Sequence, residues 1–307
     1  MNKKIITRPS FNPRVPEIYQ LEAHSACNLH CPFCPKFVPE KERDNFALDP
    51  KLAQIIAERD LAGSYFVEFQ LSGEPTLNKK LGDCIEPFLG KVVTGLSTHG
   101  LLMYKHTDIL LKLDYLTISV DSVDNYENVR VGGKFDDLVD QIDLFMAEKQ
   151  NQKSKVLIDL QIIQLENSII DNNWERQVVL LQNLIDAHKW DAKIRTIQDC
   201  AVQLYNKEEI AVASKELCLN PWLSVTVHSD GDVVPCCFAF GKEVVYGNLN
   251  DASLEEIWNE SPERKELQQQ HLSGDLCNMC LNCTARSPTL LHQSIYNSMF
   301  KRLKEIR

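Results

Sequence analysis

The stretch Ile18-Tyr19-Gln20-Leu21-Glu22-Ala23-His24-Ser25-Ala26-Cys27-Asn28-Leu29-His30-Cys31-Pro32-Phe33-Cys34 sets a strand-like run, Ile18–Ala23, directly before a loop bearing three cysteines. Downstream the same kind of short apolar run recurs, each time beside a helical pattern. Asp49-Pro50 supplies an N-cap and a proline at the first helical position, and Leu52, Ile55 and Ile56 provide an apolar face. The spacing predicts further strands over Tyr65–Leu71, Val92–Ser97, Tyr115–Val120, Val156–Ile163 and Lys193–Ile197. Helices are expected over Lys80–Leu89, His106–Leu113, Phe135–Glu148 and Trp174–His188. Parallel strands need crossover connections, so this alternation implies a parallel sheet. Six units are two short of a closed eight-fold barrel, so the expected fold is α/β, a partial (β/α)6 TIM-like barrel.

After Cys200 the rhythm changes. Trp222–Val227 and Asp232–Pro235 look like two strands joined at Ser229-Asp230-Gly231, a hairpin signal. A short helix starts at Leu254–Asn259, a cysteine-rich turn follows at Cys277–Cys283, and a basic tail, Lys301–Arg307, reads as a solvated helix end. The chain therefore divides into an N-terminal segment, 1–17, a barrel, 18–200, and a smaller hairpin and helix domain, 201–307. Its 307 residues are 44% hydrophobic and 25% charged, enough to bury a sizeable core. Lys plus Arg number 33 against 43 Asp plus Glu, a net charge of −10 that argues against a broad nucleic-acid or anionic-lipid footprint. No stretch reaches the ~18 apolar residues of a membrane span, and Met1–Pro9 has no apolar export region. The chain reads as cytoplasmic.

In a reducing compartment eleven cysteines point to metal, redox chemistry or burial rather than structural disulfides. They fall into two groups, Cys27, Cys31 and Cys34 at one end and Cys218, Cys236, Cys237, Cys277, Cys280 and Cys283 at the other. Only Cys84 and Cys200 lie between, and they read as inert core thiols. The C-x3-C-x2-C loop can hold three irons of a [4Fe–4S] cluster, leaving the fourth free for a substrate or cofactor. Zinc is the rival, with His24 or His30 as fourth ligand. In the second group Cys218, Cys236, Cys280 and Cys277 make a four-thiolate set, with Cys283 able to replace Cys277, and it suits iron–sulfur or zinc alike.

The three-cysteine loop resembles the signature of the radical S-adenosylmethionine (radical SAM) superfamily, and further motifs resemble that family in order along the barrel. Ser72-Gly73-Glu74-Pro75 resembles its GGEP-type segment, Ser97-Thr98-His99-Gly100 its T-N-G turn with His in place of Asn, and Ser119-Val120-Asp121 its S-x-D segment. Arg130 with Gly132-Gly133 resembles the turn that follows. The resemblance implies that Cys27, Cys31 and Cys34 ligate a [4Fe–4S] cluster. It also implies that Ser72, Gly73, Glu74, Thr98, Ser119, Asp121 and Arg130 contact SAM, with Glu74 as charged partner of its amino group. The implied chemistry is reductive cleavage of SAM to a 5′-deoxyadenosyl radical that abstracts a substrate hydrogen, with an electron donor such as flavodoxin or ferredoxin.

The Cys218–Cys236 spacing with Gly231, together with Gly247-Asn248-Leu249 before Ser253–Trp258, resembles the SPASM/twitch extension of some members. With C-x2-C-x2-C and no cysteine after Cys283, the chain departs from the full seven-cysteine pattern, so two clusters per chain are expected in all. Enzymes with this extension most often modify ribosomally made peptides by crosslinking, epimerisation or excision of a tyramine unit. A peptide is therefore the expected substrate. About 25 residues precede Cys27, too few for a leader-binding winged helix, so either a separate leader-binding partner or recognition of the peptide by other surfaces of the chain is expected. The alternatives are a twitch-type alcohol dehydrogenase of an aminocyclitol or sugar and, remotely, a non-catalytic zinc-binding module.

Overall fold

A computed structural model describes residues 16–37, 44–59, 61, 64–165, 173–198, 217–281 and 283. Cys200, the basic tail and most of the segment 1–17 lie outside the described residues. A sheet of nine strands in the order β6-β5-β4-β3-β2-β1-β7-β8-β9 forms its centre. Strands β1 (Ile18–Leu21), β2 (Phe66–Phe69), β3 (Val93–Thr98), β4 (Tyr115–Ser119), β5 (Leu157–Gln164) and β6 (Lys193–Gln198) pair in parallel in chain order. Each returns through a crossover, and the partial barrel inferred from the alternation is what forms.

The sheet continues past β1. Strand β7 (Ser224–Val227) lies parallel to it, with Ile18 opposite Ser224 and Leu21 opposite Val227. Strands β8 (Asp232–Val234) and β9 (Gly247–Asn248) then add antiparallel. The hairpin thus begins as a seventh parallel strand, and it covers backbone groups of β1 that a sheet edge would leave unpaired.

Helices α1 (Pro50–Arg59), α2 (Leu81–Ile85), α3 (Thr107–Leu110), α4 (Tyr126–Val129), α5 (Phe135–Asn151) and α6 (Trp174–His188) connect the barrel strands. α5 buries Leu138, Ile142 and Phe145 as its periodicity requires, whereas Ile55 of α1 lies exposed beside the buried Leu52 and Ile56. The helix expected to Leu89 ends at Ile85 and tightens into a 3-10 turn over Glu86–Phe88, because Pro87 has no N–H to continue it. Pro221 likewise opens a short helix, α7 (Asn220–Leu223), so Trp222 precedes the strand instead of starting it. Helices α8 (Leu254–Glu260), α9 (Pro262–Ser273) and α10 (Asn278–Leu281) close the described chain. α9, absent from the sequence expectation, carries ordinary end signals: Ser261 Oγ accepts from Arg264 N, Pro262 sits at the first position, and Gly274 ends it at φ 83°.

The two sheet faces differ. Tyr19, Leu21, Val67, Phe69, Leu116, Ile118, Leu160 and Val227 pack beneath the helices. The lumen face starts with Ile18, Phe66, Tyr115 and Leu219, then turns polar: Gln20, Glu68, Thr117, Gln161 and Thr226 are all buried there. Lumens of this fold are ordinarily filled with branched apolar side chains, so a polar layer marks the level of the site. Among the described residues no helix is long and apolar enough to cross a membrane.

Candidate active site

The cysteine loop follows β1 at the carboxyl ends of the strands. Cys27, Cys31 and Cys34 all line one cavity of about 450 Å³, shared with Glu68, Ser72, Gly73, Glu74, Thr98, Ser119 and Arg130. Burial pushes the Cys27 thiol up to about 12 and Cys34 to about 11, and neighbouring thiolates add to the rise. Thiols that resist ionising by themselves fit a cationic cluster, which supplies the positive charge that thiolates need. Among the described residues no three His, Cys, Asp or Glu side chains are gathered tightly enough to grip a single metal ion.

Two turns clamp this loop. Glu74 N donates to Ala26 O at 2.8 Å, and a Cβ on Gly73 would stand 1.8 Å from His24 O, so only glycine lets the turn dock. On the other side His30 N donates to Val131 O at 2.8 Å, and Gly132, at φ +98°, passes close to Asn28 O. The motif-like residues are therefore brought together, but several face one another instead of the cavity. Glu74 Oε1 accepts from Thr76 N at 3.0 Å and from the hydroxyls of Thr76 and Thr98 at 2.6 Å each, while Oε2 accepts from His99 N at 2.9 Å. The carboxylate braces two strand ends.

His99, where the resembling motif has Asn, is a further brace. Leu101 N donates to its Nδ1 at 3.1 Å, which leaves Nε2 to donate to Asn28 Oδ1 at 2.9 Å. Burial lowers its pKa, in keeping with a neutral ring. Asp121 is fully buried with a left-handed backbone, φ 61°. Its own N and that of Val120 donate to Gln161 O, and its carboxylate accepts from Ile163 N at 2.9 Å and pairs with Arg130. Arg130 in turn stands 3.7 Å from Cys31 Sγ and 5.5 Å from the Phe33 ring centroid. Asp121 therefore acts through Arg130, which reaches the cavity.

Six residues not singled out in the sequence complete the surroundings. Glu22, buried at the end of β1, accepts from Ser72 Oγ at 2.6 Å on Oε1 and from Ser229 N and Oγ at 3.0 and 2.9 Å on Oε2. It ties the Ser72 turn to the β7–β8 turn. Deeper in the lumen Glu68, Gln161 and Arg195 line the cavity, with Arg195 Nη2 donating to Gln161 Oε1 at 2.7 Å. A charge within a strand-like run was the available signal for Glu68 and Arg195, but nothing local told which face it takes. Cys237, Phe238 and Phe240, just after β8, form part of the same cavity wall.

The second cysteine group also assembles. The thiol of Cys236 is pushed well up by burial and by Cys237, Cys218 and Cys283, and that of Cys280 feels Cys277, Cys236 and Cys218. Cys280 donates to Cys277, so Cys277 is drawn down to about 6 and Cys280 is raised. Cys236 and Cys280 thus each feel Cys218, Cys277 is hydrogen-bonded to Cys280, and Cys237 and Cys283 act on Cys236. Cys84 sits apart in the core, where its thiol meets Leu48 O at 3.3 Å.

Comparison with known proteins follows the same division. The family model of the Radical SAM superfamily matches residues 21–169, and that of SPASM, an iron–sulfur cluster-binding domain, matches residues 218–284. The chain is 25% identical over 283 residues to the S-adenosyl-L-methionine-dependent 2-deoxy-scyllo-inosamine dehydrogenase of Niallia circulans, spanning 87% of this chain and 94% of that one. Among solved structures it is similar to Streptococcus suis SuiB bound to precursor peptide SuiA, with TM-score 0.66 and 15% identity over 90% of this chain and 72% of that one. BtrN in complex with AdoMet and 2-DOIA gives TM-score 0.57 and 17% identity over 92% and 97%. These two likenesses speak to the fold.

Proposed function

The chain belongs to the radical SAM superfamily with a C-terminal SPASM domain, and from that premise we propose that it dehydrogenates an alcohol carbon of a small polar substrate of the aminocyclitol or sugar type. The observation that carries this reading is the polar layer in the lumen, where Glu68, Gln161 and Arg195 line the cavity below the cysteine loop. The near full-length likeness to a dehydrogenase supports it. Cys27, Cys31 and Cys34 would hold one [4Fe–4S] cluster, and Cys218, Cys236 and Cys280, with Cys277 or Cys283, a second. When bound, the first cluster and SAM supply the one-electron, hydrogen-abstracting chemistry, with electrons from a flavodoxin or ferredoxin.

The chain's own residues do the positioning. The Ser72-Gly73-Glu74 turn, Thr98 and Ser119 form the SAM-side wall, with Glu74 holding that wall rigid through Thr76, Thr98 and His99. Asp121 fixes Arg130 beside Cys31, and Phe33, Phe238 and Phe240 give the cavity an apolar side. A ribosomal peptide, with a separate leader-binding partner, is the second reading, and the aromatic side chains Phe37, Phe238 and Phe240 along the cavity favour it.

Reconstitution with iron and sulfide under argon, followed by SAM, a reductant and 2-deoxy-scyllo-inosamine, separates the two. One carbonyl formed per 5′-deoxyadenosine supports the dehydrogenase. No carbonyl from any polyol, with a mass change in a co-encoded peptide, overturns it in favour of the peptide.

A further inference from the structure

Two opposite charges line the cavity without meeting. Glu68 is 6% exposed, and its carboxylate accepts from neutral donors, Ser97 Oγ at 3.2 Å and Gln70 Nε2 at 3.1 Å. Arg195, two strands beyond Ser97's neighbour β4, spends Nη2 on Gln161 and Nη1 on the Tyr115 hydroxyl at 3.4 Å, and its buried Nε has no partner. Among the described residues no ion pair joins Glu68 to Arg195. A buried carboxylate and guanidinium kept only for packing would be stabilised most by direct contact, because each leaves the other's desolvation uncompensated when they stand apart. With only neutral donors in direct contact and Arg195 acting from a distance, the recessed carboxylate leaves room for a cation that enters to contact it directly.

We propose that Glu68 sets specificity by seating the ammonium group of an aminocyclitol-type substrate, with Arg195 taking a hydroxyl oxygen of the same ring. This rests on the alcohol-dehydrogenase reading and narrows it to amine-bearing substrates. A charge-assisted contact of this kind is far stronger than one to a hydroxyl, so it discriminates between an amine and its hydroxyl counterpart. Burial raises the Glu68 carboxyl while Arg195, Ser97 and Gln20 oppose the rise, and a bound ammonium would oppose it further.

The test is equilibrium binding to the iron-loaded, SAM-bound protein without reductant. The probes are 2-deoxy-scyllo-inosamine and the cyclitol in which a hydroxyl replaces its amine. The wild-type protein is expected to prefer the amine by about tenfold or more, and Glu68→Gln is expected to erase that preference. Iron content and melting temperature check that the variant folds, and Glu68→Asp serves if Glu68→Gln does not load iron. An unchanged preference in a folded variant, or equal affinity of the wild type for both probes, overturns this inference alone. If neither probe binds the wild type, the dehydrogenase reading falls with it.

Discussion

At Gly73 the absence of a side chain is a steric necessity, since a methyl group would stand 1.8 Å from His24 O. Gly73→Ala must push the turn off the cysteine loop. It is expected to cost about 1–3 kcal/mol of stability and to weaken SAM binding, which thermal melts and SAM titration of reconstituted protein will read. Arg130 offers a second test. Truncating it leaves Asp121 charged and buried, a loss of about 3–5 kcal/mol by the usual behaviour of such pairs. Arg130→Ala is therefore expected to lower the melting temperature more than Arg176→Ala, whose pair with Asp124 is largely exposed. At this scale the cysteines were legible because thiolate chemistry fixes their spacing, whereas the order of the strand-end motifs was legible only through the family resemblance. Glu22 and Glu68 were not. One charge in a strand looks like an outward position until the sheet shows which face is the lumen.

Among the elements, the pairing of β7 with β1 has the widest consequence. It places the β7–β8 turn over the end of β1, where Glu22 collects Ser229 from that turn and Ser72 from the turn after β2. Glu22→Gln turns one acceptor atom into a donor facing donors, and it is expected to cost about 1.5–3 kcal/mol. The denaturant midpoint measures it, and an unchanged midpoint would contradict the clamp. Strands and crossover helices could be read because their signals are local: apolar runs, Asp49-Pro50, and the face of α5. The β1–β7 pairing joins residues some two hundred positions apart and depends on which strand edge is left free, which no local pattern reports. The overlong helix at Leu89 was different, because Pro87 was visible and its missing N–H decides the matter.

The whole molecule joins a polar-lumened barrel to a cysteine-rich extension through one sheet, and Cys27, Cys31, Cys34 and Cys237 line the cavity that both help to form. This arrangement makes stability depend on metal and pH together. Cys27 and Cys34 are raised from an ordinary 9.0 to about 12 and 11, so in metal-free protein they contribute stability that is present below pH 9 and lost as pH climbs towards 11. In protein whose loop carried the proposed cluster they would already be thiolates, and its denaturation midpoint should stay flat over that window. The most direct measurement is 5′-deoxyadenosine released when anaerobically reconstituted protein receives SAM and a strong reductant. The account predicts its formation by the wild type and its loss in Cys31→Ser, with one cluster's worth of iron missing from the variant. Iron-loaded wild-type protein that releases none, or a Cys31→Ser variant that releases as much, would contradict it.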